Sequence, residues 1–233
     1  MPTRDERETS VSTWRGIVSM TILLVATTAW AADVVIVEDW SQYPVGAKGL
    51  PQGWDKQQWG SPKYDFTVVA DGGTKILHLK SHNEGSTIAK SIKGKVNLKD
   101  TPILEWRWKA ITLPKGGDSR HKATDDQACQ VYVGWERFPQ AVRSRLIGYV
   151  WDTTAPAGTI AKSEKTGTVT YVIVRSGAAD LGKWITERRN VVDDFKKIYN
   201  DAPDAPDLIS IAIDTNDTNS TAECFMGALA FKR

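Results

Sequence analysis

Residues 103–110 read Ile103-Leu-Glu-Trp-Arg-Trp-Lys-Ala110, with Leu104, Trp106, Trp108 and Ala110 on one parity and Glu105, Arg107 and Lys109 on the other. Strict period-two alternation of this kind describes an extended strand with one buried and one wet face. On either side of it, similar stretches occur at 34–37, 64–70, 75–80, 86–92, 127–135, 144–151, 169–175, 208–214 and 222–231. Turn-forming runs separate them, among them Asp71-Gly-Gly73, Lys93-Gly94, Pro114-Lys-Gly-Gly117, Pro156-Ala-Gly158 and Thr166-Gly167. Short strands at this spacing, with little helical periodicity, predict an all-β, two-sheet antiparallel sandwich, jelly-roll-like in the manner of concanavalin- and galactose-binding-type domains. One short helix is expected near 190–199, where Val191, Val192, Phe195 and Ile198 recur at helical spacing before the Pro-containing run 201–206.

Composition narrows the class. The 233 residues are 41% hydrophobic and 25% charged, which excludes a disordered or collagen-like chain. Thirty Lys+Arg against 28 Asp+Glu leave a net charge of +2, so nucleic acid is not expected as a partner. Three His and two Cys argue against a histidine metal centre, and there is no H-E-x-x-H, C-x-x-C or G-x-S-x-G motif.

Residues 1–31 have the layout of a Sec-type secretory signal peptide of a bacterial protein. Arg4, Arg7 and Arg15 precede an apolar run from Ile17 to Ala29, and Ala29-Trp-Ala31 fits the small-residue cleavage pattern. The run is too short for a membrane-spanning helix. The expectation is a periplasmic or secreted protein, with 32–233 forming one domain and no transmembrane segment after cleavage. About 200 residues are enough to bury a core without a metal or disulfide. Cys129 and Cys224 would meet an oxidising compartment, where a bridge is open to them. Strand parity argues against one: Cys129 shares a face with Val131 and Val133, whereas Cys224 lies opposite Phe225, Leu229 and Phe231.

The candidate chemistry is sparse. His78 and His82 are too far apart on a strand to share an ion, and with His121 they are expected to be solvated. The loop Asp214-Thr-Asn-Asp-Thr-Asn219 concentrates oxygen ligands, and Asp214, Asp217 and Asn219 are the candidate set for a structural calcium; Asx-turn bonding is the plainer use of the same residues. No other cofactor is implied. After cleavage eight Trp remain, at 40, 54, 59, 106, 108, 135, 151 and 184. Trp106 and Trp108 belong to the core by parity, while Trp135, Trp151 and Trp184 sit at strand ends or in loops where exposure is expected. Aromatic surfaces beside amide, carboxylate and guanidinium groups suit a sugar.

The ordered set Lys122-Ala-Thr-Asp-Asp126, the strand 127–135, Tyr149-Val-Trp151, Val174-Arg-Ser-Gly177, Trp184 with Glu187-Arg188, Asp193-Asp194, and Ile211-Ala-Ile-Asp214 with Asp217-Thr-Asn219 resembles the exported bacterial family known as domain of unknown function 3047. Leu50-Pro-Gln-Gly-Trp54 and Trp106-Arg-Trp-Lys109 fit it too. Gln130, where the pattern has Arg, and Met226-Gly-Ala228, where it has acids, depart from it. The resemblance implies a sandwich akin to carbohydrate-binding modules, which is a fold-level analogy. The expected function is an exported domain that binds a glycan or similar polar ligand, through Asp126, Gln130, Trp151, Arg175, Trp184 and Arg188. The alternatives are a glycosidase or polysaccharide lyase pairing Asp126 with Asp152 or Asp194, and an envelope component that docks another protein.

Overall fold

The computed structural model describes residue 1 and residues 34–56 and 61–233. The expected signal peptide, residue 1 apart, and Trp59 lie outside the described residues. In chain order the strands are β1 (Val34–Glu38), β2 (Asp55–Lys56), β3 (Asp65–Asp71), β4 (Thr74–His82), β5 (Gly85–Ser91), β6 (Ile103–Thr112), β7 (Cys129–Trp135), β8 (Arg145–Asp152), β9 (Ile160–Lys162), β10 (Val169–Ser176), β11 (Ile185–Asn190), β12 (Leu208–Asp214) and β13 (Thr221–Lys232). Among the described residues they are interrupted by a 3-10 turn at Lys122–Thr124 and by the helices α1 (Gln140–Arg143) and α2 (Val191–Tyr199).

The first sheet, A, runs β11-β6-β13-β4-β3, with β1 also paired to β13; the second, B, runs β2-β5-β12-β7-β8-β10-β9. Strands distant in sequence are neighbours in both, which is the crossing connectivity of a jelly-roll-like sandwich. One feature differs from an all-antiparallel expectation: β8 and β10 pair in parallel. The sequence reading also lacks β2, β9 and β11, the first two being very short and the third, Ile-Thr-Glu-Arg-Arg-Asn, having a single apolar side chain. Helix α2 falls where its apolar stripe predicts, capped by the Asn190 side chain accepting from the Val192 and Asp193 amides and closed by Asn200 in the left-handed region.

The inward parity of β6 packs as read. Leu104, Trp106, Trp108 and Ala110 are buried, Trp106 lies 5.3 Å from Tyr149 and Trp108 lies 6.0 Å from Trp151 between ring centroids, joining the two sheets. A second aromatic pair, Trp40 stacked on Trp54, rests on the buried Glu38, whose carboxylate accepts from the Trp54 indole, the Trp40 amide and Lys90. Burial works against that charge, but Lys90 and these donors hold Glu38 below its ordinary carboxylate range.

The parity argument against a disulfide is overturned: Cys129 and Cys224 are bonded, with 5.9 Å between their Cα atoms, tying β7 to β13 across the sandwich. The reason is a bulge. Opposite β6, Cys224 pairs with Ala110 and Met226 with Trp108, but the next partner of Trp106 is Leu229, one residue later than regular alternation would place it. The extra residue reverses parity within β13. Cys224 and Met226 therefore share the inner face with Leu229 and Phe231, and Phe225 turns outward.

Gly227 makes the bulge feasible. A Cβ there would lie 2.5 Å from Arg107 Cγ and 3.3 Å from the Arg107 carbonyl oxygen. The Gly227 carbonyl accepts the Trp40 indole N–H at 2.9 Å, so the irregular backbone keeps its hydrogen bonding.

Candidate functional site

Turning Phe225 outward completes a row on the outer face of sheet A. Thr67 pairs with His78, His78 with Phe225 and Phe225 with Lys109; since Ile185 pairs with Trp108, Trp184 flanks Lys109 at the sheet edge. Cross-strand neighbours on one face touch. His78 and Phe225 stack at 4.2 Å with 13° between their planes, and Phe225 and Trp184 lie 6.5 Å apart at 55°. Stacked neighbours on a sheet stand side by side, so their ring edges, where the quadrupole is positive, turn to solvent.

Cations reinforce that sign. Lys109 Nζ lies 4.6 Å from the Phe225 centroid and 4.9 Å from that of Trp184, and it makes no ion pair among the described residues. The Arg107 guanidinium lies 4.2 Å from the Trp184 centroid and only 3.9 Å from the nearest Asp71 oxygen, a loose pairing that leaves its side chain 38% exposed. His78 is not simply solvated as expected, because its Nε2 meets Glu223 Oε1 at 2.7 Å. The Trp184 indole N–H is shielded from solvent and has no protein acceptor. Of the six residues expected to bind ligand, Trp184 and Arg188 belong to this face, Arg188 pairing with Glu105 at 3.2 Å.

Asp126 and Gln130 lie elsewhere, in a polar cluster at sheet B that also holds Asp214 and Asp217. Asp126 is fully buried and accepts from the Asp217 and Thr218 amides and the Thr218 hydroxyl, pinning the 215–219 loop. Gln130 accepts from the Tyr132 hydroxyl. Asp125 accepts from Gln127, Tyr171 and Ser163, and burial raises its pKa. Asp217 is held by Lys165. Among the described residues no group of three or more His, Cys, Asp or Glu is arranged to hold a metal ion.

Asp214 is the reactive-looking member. Burial, joined by the negative charge of Asp126, pushes it up to about 8, and the missing Cβ of Gly85 leaves space for its carboxyl, whose Oδ1 would lie 2.7 Å from such an atom. A folded pKa raised above the ordinary 3.8 means that the native state keeps a proton the unfolded chain releases, so stability is lost as pH rises from about 4 to about 8. Asp214→Asn is therefore expected to stabilise the fold near pH 8 and to have a negligible effect near pH 4. Urea unfolding at both pH values checks this; an equal effect at the two would contradict it.

The remaining expected residues are engaged within the fold. Trp151 is 1% exposed, packs on Trp108 and donates to the Gly177 carbonyl, and Trp135 is likewise buried, against Phe195; both corrections follow from helix α2 and the 177–184 loop covering what the strand ends alone would expose. Arg175 is clamped by Glu187 at 2.6 Å and Asp180 at 3.3 Å. Asp152 accepts from Ser119, Thr154 and Ala155, and Asp194 from Tyr149 and Arg189, so both carboxylates are engaged in holding loops and α2. Trp151, Trp184 and Arg175 thus do not line one surface. His78, Phe225, Lys109 and Arg107 were not anticipated as a group; the alternation of β6 already turned Arg107 and Lys109 outward, but the β13 bulge concealed Phe225.

A family model described as "Protein of unknown function (DUF3047)" matches residues 52–230. No curated protein matches the sequence. Similar solved structures include the family 11 carbohydrate-binding module of a cellulosomal cellulase of Clostridium thermocellum, at 7% identity and TM-score 0.43, covering 87% of this chain and 96% of that one. The family 30 carbohydrate-binding module of a second Clostridium thermocellum cellulase has 11% identity and TM-score 0.44, covering 86% and 98%. The K2 cleaved adhesin domain of Lys-gingipain has 12% identity and TM-score 0.39, covering 86% and 99%.

Proposed function

From the premise that this chain belongs to the family of proteins of unknown function DUF3047, we propose that it is an exported glycan-binding domain whose ligand surface is the outer face of sheet A. Residues 1–31 direct export to the periplasm or beyond, and the ligand is a glycan bearing acidic groups. The observation that carries this reading is Lys109, an ammonium held between the rings of Phe225 and Trp184 with no carboxylate partner among the described residues. A charge resting only on ring faces is incompletely neutralised, and an incoming uronate would pair with it. Arg107 adds a planar donor fork beside Trp184, and the aromatic rings offer apolar contact to the C–H patches of a sugar. No helix among the described residues is long and apolar enough to cross a membrane.

Isothermal titration against paired neutral and uronate-containing oligosaccharides tests the reading. Acidic members are expected to bind; Trp184→Ala weakens them by about tenfold or more, since aromatic anchors dominate such sites. Lys109→Gln removes the preference for acidic over neutral sugars while keeping residual affinity. Silence of the native protein toward every saccharide, or affinity indifferent to both substitutions, overturns it.

A further inference from the structure

Strands β8, β9 and β10, with α1 and α2, border an open cleft of about 720 Å³, away from the outer face of sheet A. Arg137, Arg143, Arg145, Lys162 and Lys197 line it, and no carboxylate does. Two of these charges are offset from outside the lining, Arg137 by Asp204 and Arg145 by Asp201, each at 2.9 Å. Arg143, Lys162 and Lys197 make no ion pair among the described residues, and Arg143 reaches only the Phe138 carbonyl, at 3.3 Å. Three uncompensated cations facing one open space form an anion site by charge alone.

The lip of the cleft specifies which anion. Phe138, next to the lining residue Arg137 and separated from α1 by Pro139, is 86% exposed, and Val142, a lining residue on α1, is 78% exposed. Large apolar side chains left in water beside a cationic patch lose free energy unless something covers them. A soluble phosphate or sugar acid would satisfy the cations and leave both side chains wet. An anionic bilayer meets both demands, because phosphates sit at the level of the basic groups and the acyl boundary lies just beneath. We propose that this cleft and its lip are a docking surface for an anionic phospholipid bilayer, with lipid phosphates against Arg143, Lys162 and Lys197 and with Phe138 and Val142 entering the interface. The proposal uses different strands from the glycan surface and stands or falls separately from it.

The test places an environment-sensitive fluorophore at Phe138→Cys in the full chain, so that the signal reports the lip and not the apolar run at 17–29. Vesicles of phosphatidylcholine with about 30 mol% phosphatidylglycerol are expected to shift the emission to the blue and shield the dye from acrylamide, whereas phosphatidylcholine alone does neither. Lys162→Glu with Lys197→Glu, both at exposed positions, should weaken the apparent affinity by at least about tenfold, and ~0.5 M NaCl should do the same to the parent. Val142→Asp should abolish the shift. The proposal is overturned by a dye that stays wet with anionic vesicles or that responds equally to neutral ones. It is equally overturned if glycerol phosphate saturates the cleft in titration calorimetry while vesicles have no effect.

Discussion

Removing the Cys129–Cys224 bond is expected to cost about 4 kcal/mol of stability, through loss of a cross-link that closes a long loop in the unfolded chain. The two residues are 95 apart in sequence, and on folding they join opposite sheets of the sandwich. Both sulfurs are buried in the core, so reductant will act slowly on the native protein. The informative comparison is therefore between the native chain and the double variant Cys129→Ala/Cys224→Ala, by calorimetry and urea unfolding. For a domain of this size the loss corresponds to a Tm lower by roughly 10 °C. The cavity left by two small side chains contributes a minor share, and the native protein unfolded, reduced and refolded under reductant separates it from the cross-link. A double variant as stable as the native chain would show that the bond constrains nothing.

Gly227→Val is expected to be nearly as damaging, at about 3 kcal/mol, because a side chain there must occupy space held by Arg107. The nearest atom is Arg107 Cγ, in the middle of the side chain, and the Arg107 carbonyl lies behind it, so no rotation of a flexible end relieves the overlap. The same bulge carbonyl receives the Trp40 indole N–H, and shifting it would also leave that buried donor unpaired. Binding should fall with stability, since Arg107 rests on Trp184 and the bulge sets the direction of Phe225. The double variant Gly227→Val/Arg107→Ala distinguishes the cause: residues in contact do not add, and removing Arg107 should return about 1 kcal/mol or more. Strict additivity, or a Gly227→Val protein that unfolds at the native urea midpoint, would sink the account.

Much of the architecture was legible because period two is a local property. β6 announced its inner face, and the ten stretches read as strands all correspond to strands of the sandwich. Helix α2 was equally plain from its apolar stripe and the Pro-containing run that ends it. The strands that escaped detection were either very short, as β2 and β9 are, or poor in apolar residues, as is β11, held by its pairing to β6 and not by its own pattern. The site depends on contacts between distant strands, which alternation within one strand does not show. Trp184 and Arg188 share a face as candidate ligand contacts, but Trp151 is in the core, Arg175 is clamped by carboxylates, and Asp126 and Gln130 belong to a polar cluster at the other sheet.

The all-β class of this DUF3047 protein, the burial of Trp106 and Trp108, the short helix near 190–199 and the near-neutral charge that disfavours nucleic acid are all readable from the chain, because each depends on alternation within a few residues or on composition. The tertiary structure alone decided the direction of every side chain between Cys224 and Leu229. Alternation assigns faces only while the backbone keeps its register, and one extra residue at Gly227 reverses the assignment without changing the sequence pattern on either side. That reversal brings Cys224 to Cys129 and sends Phe225 out to His78, Lys109 and Trp184.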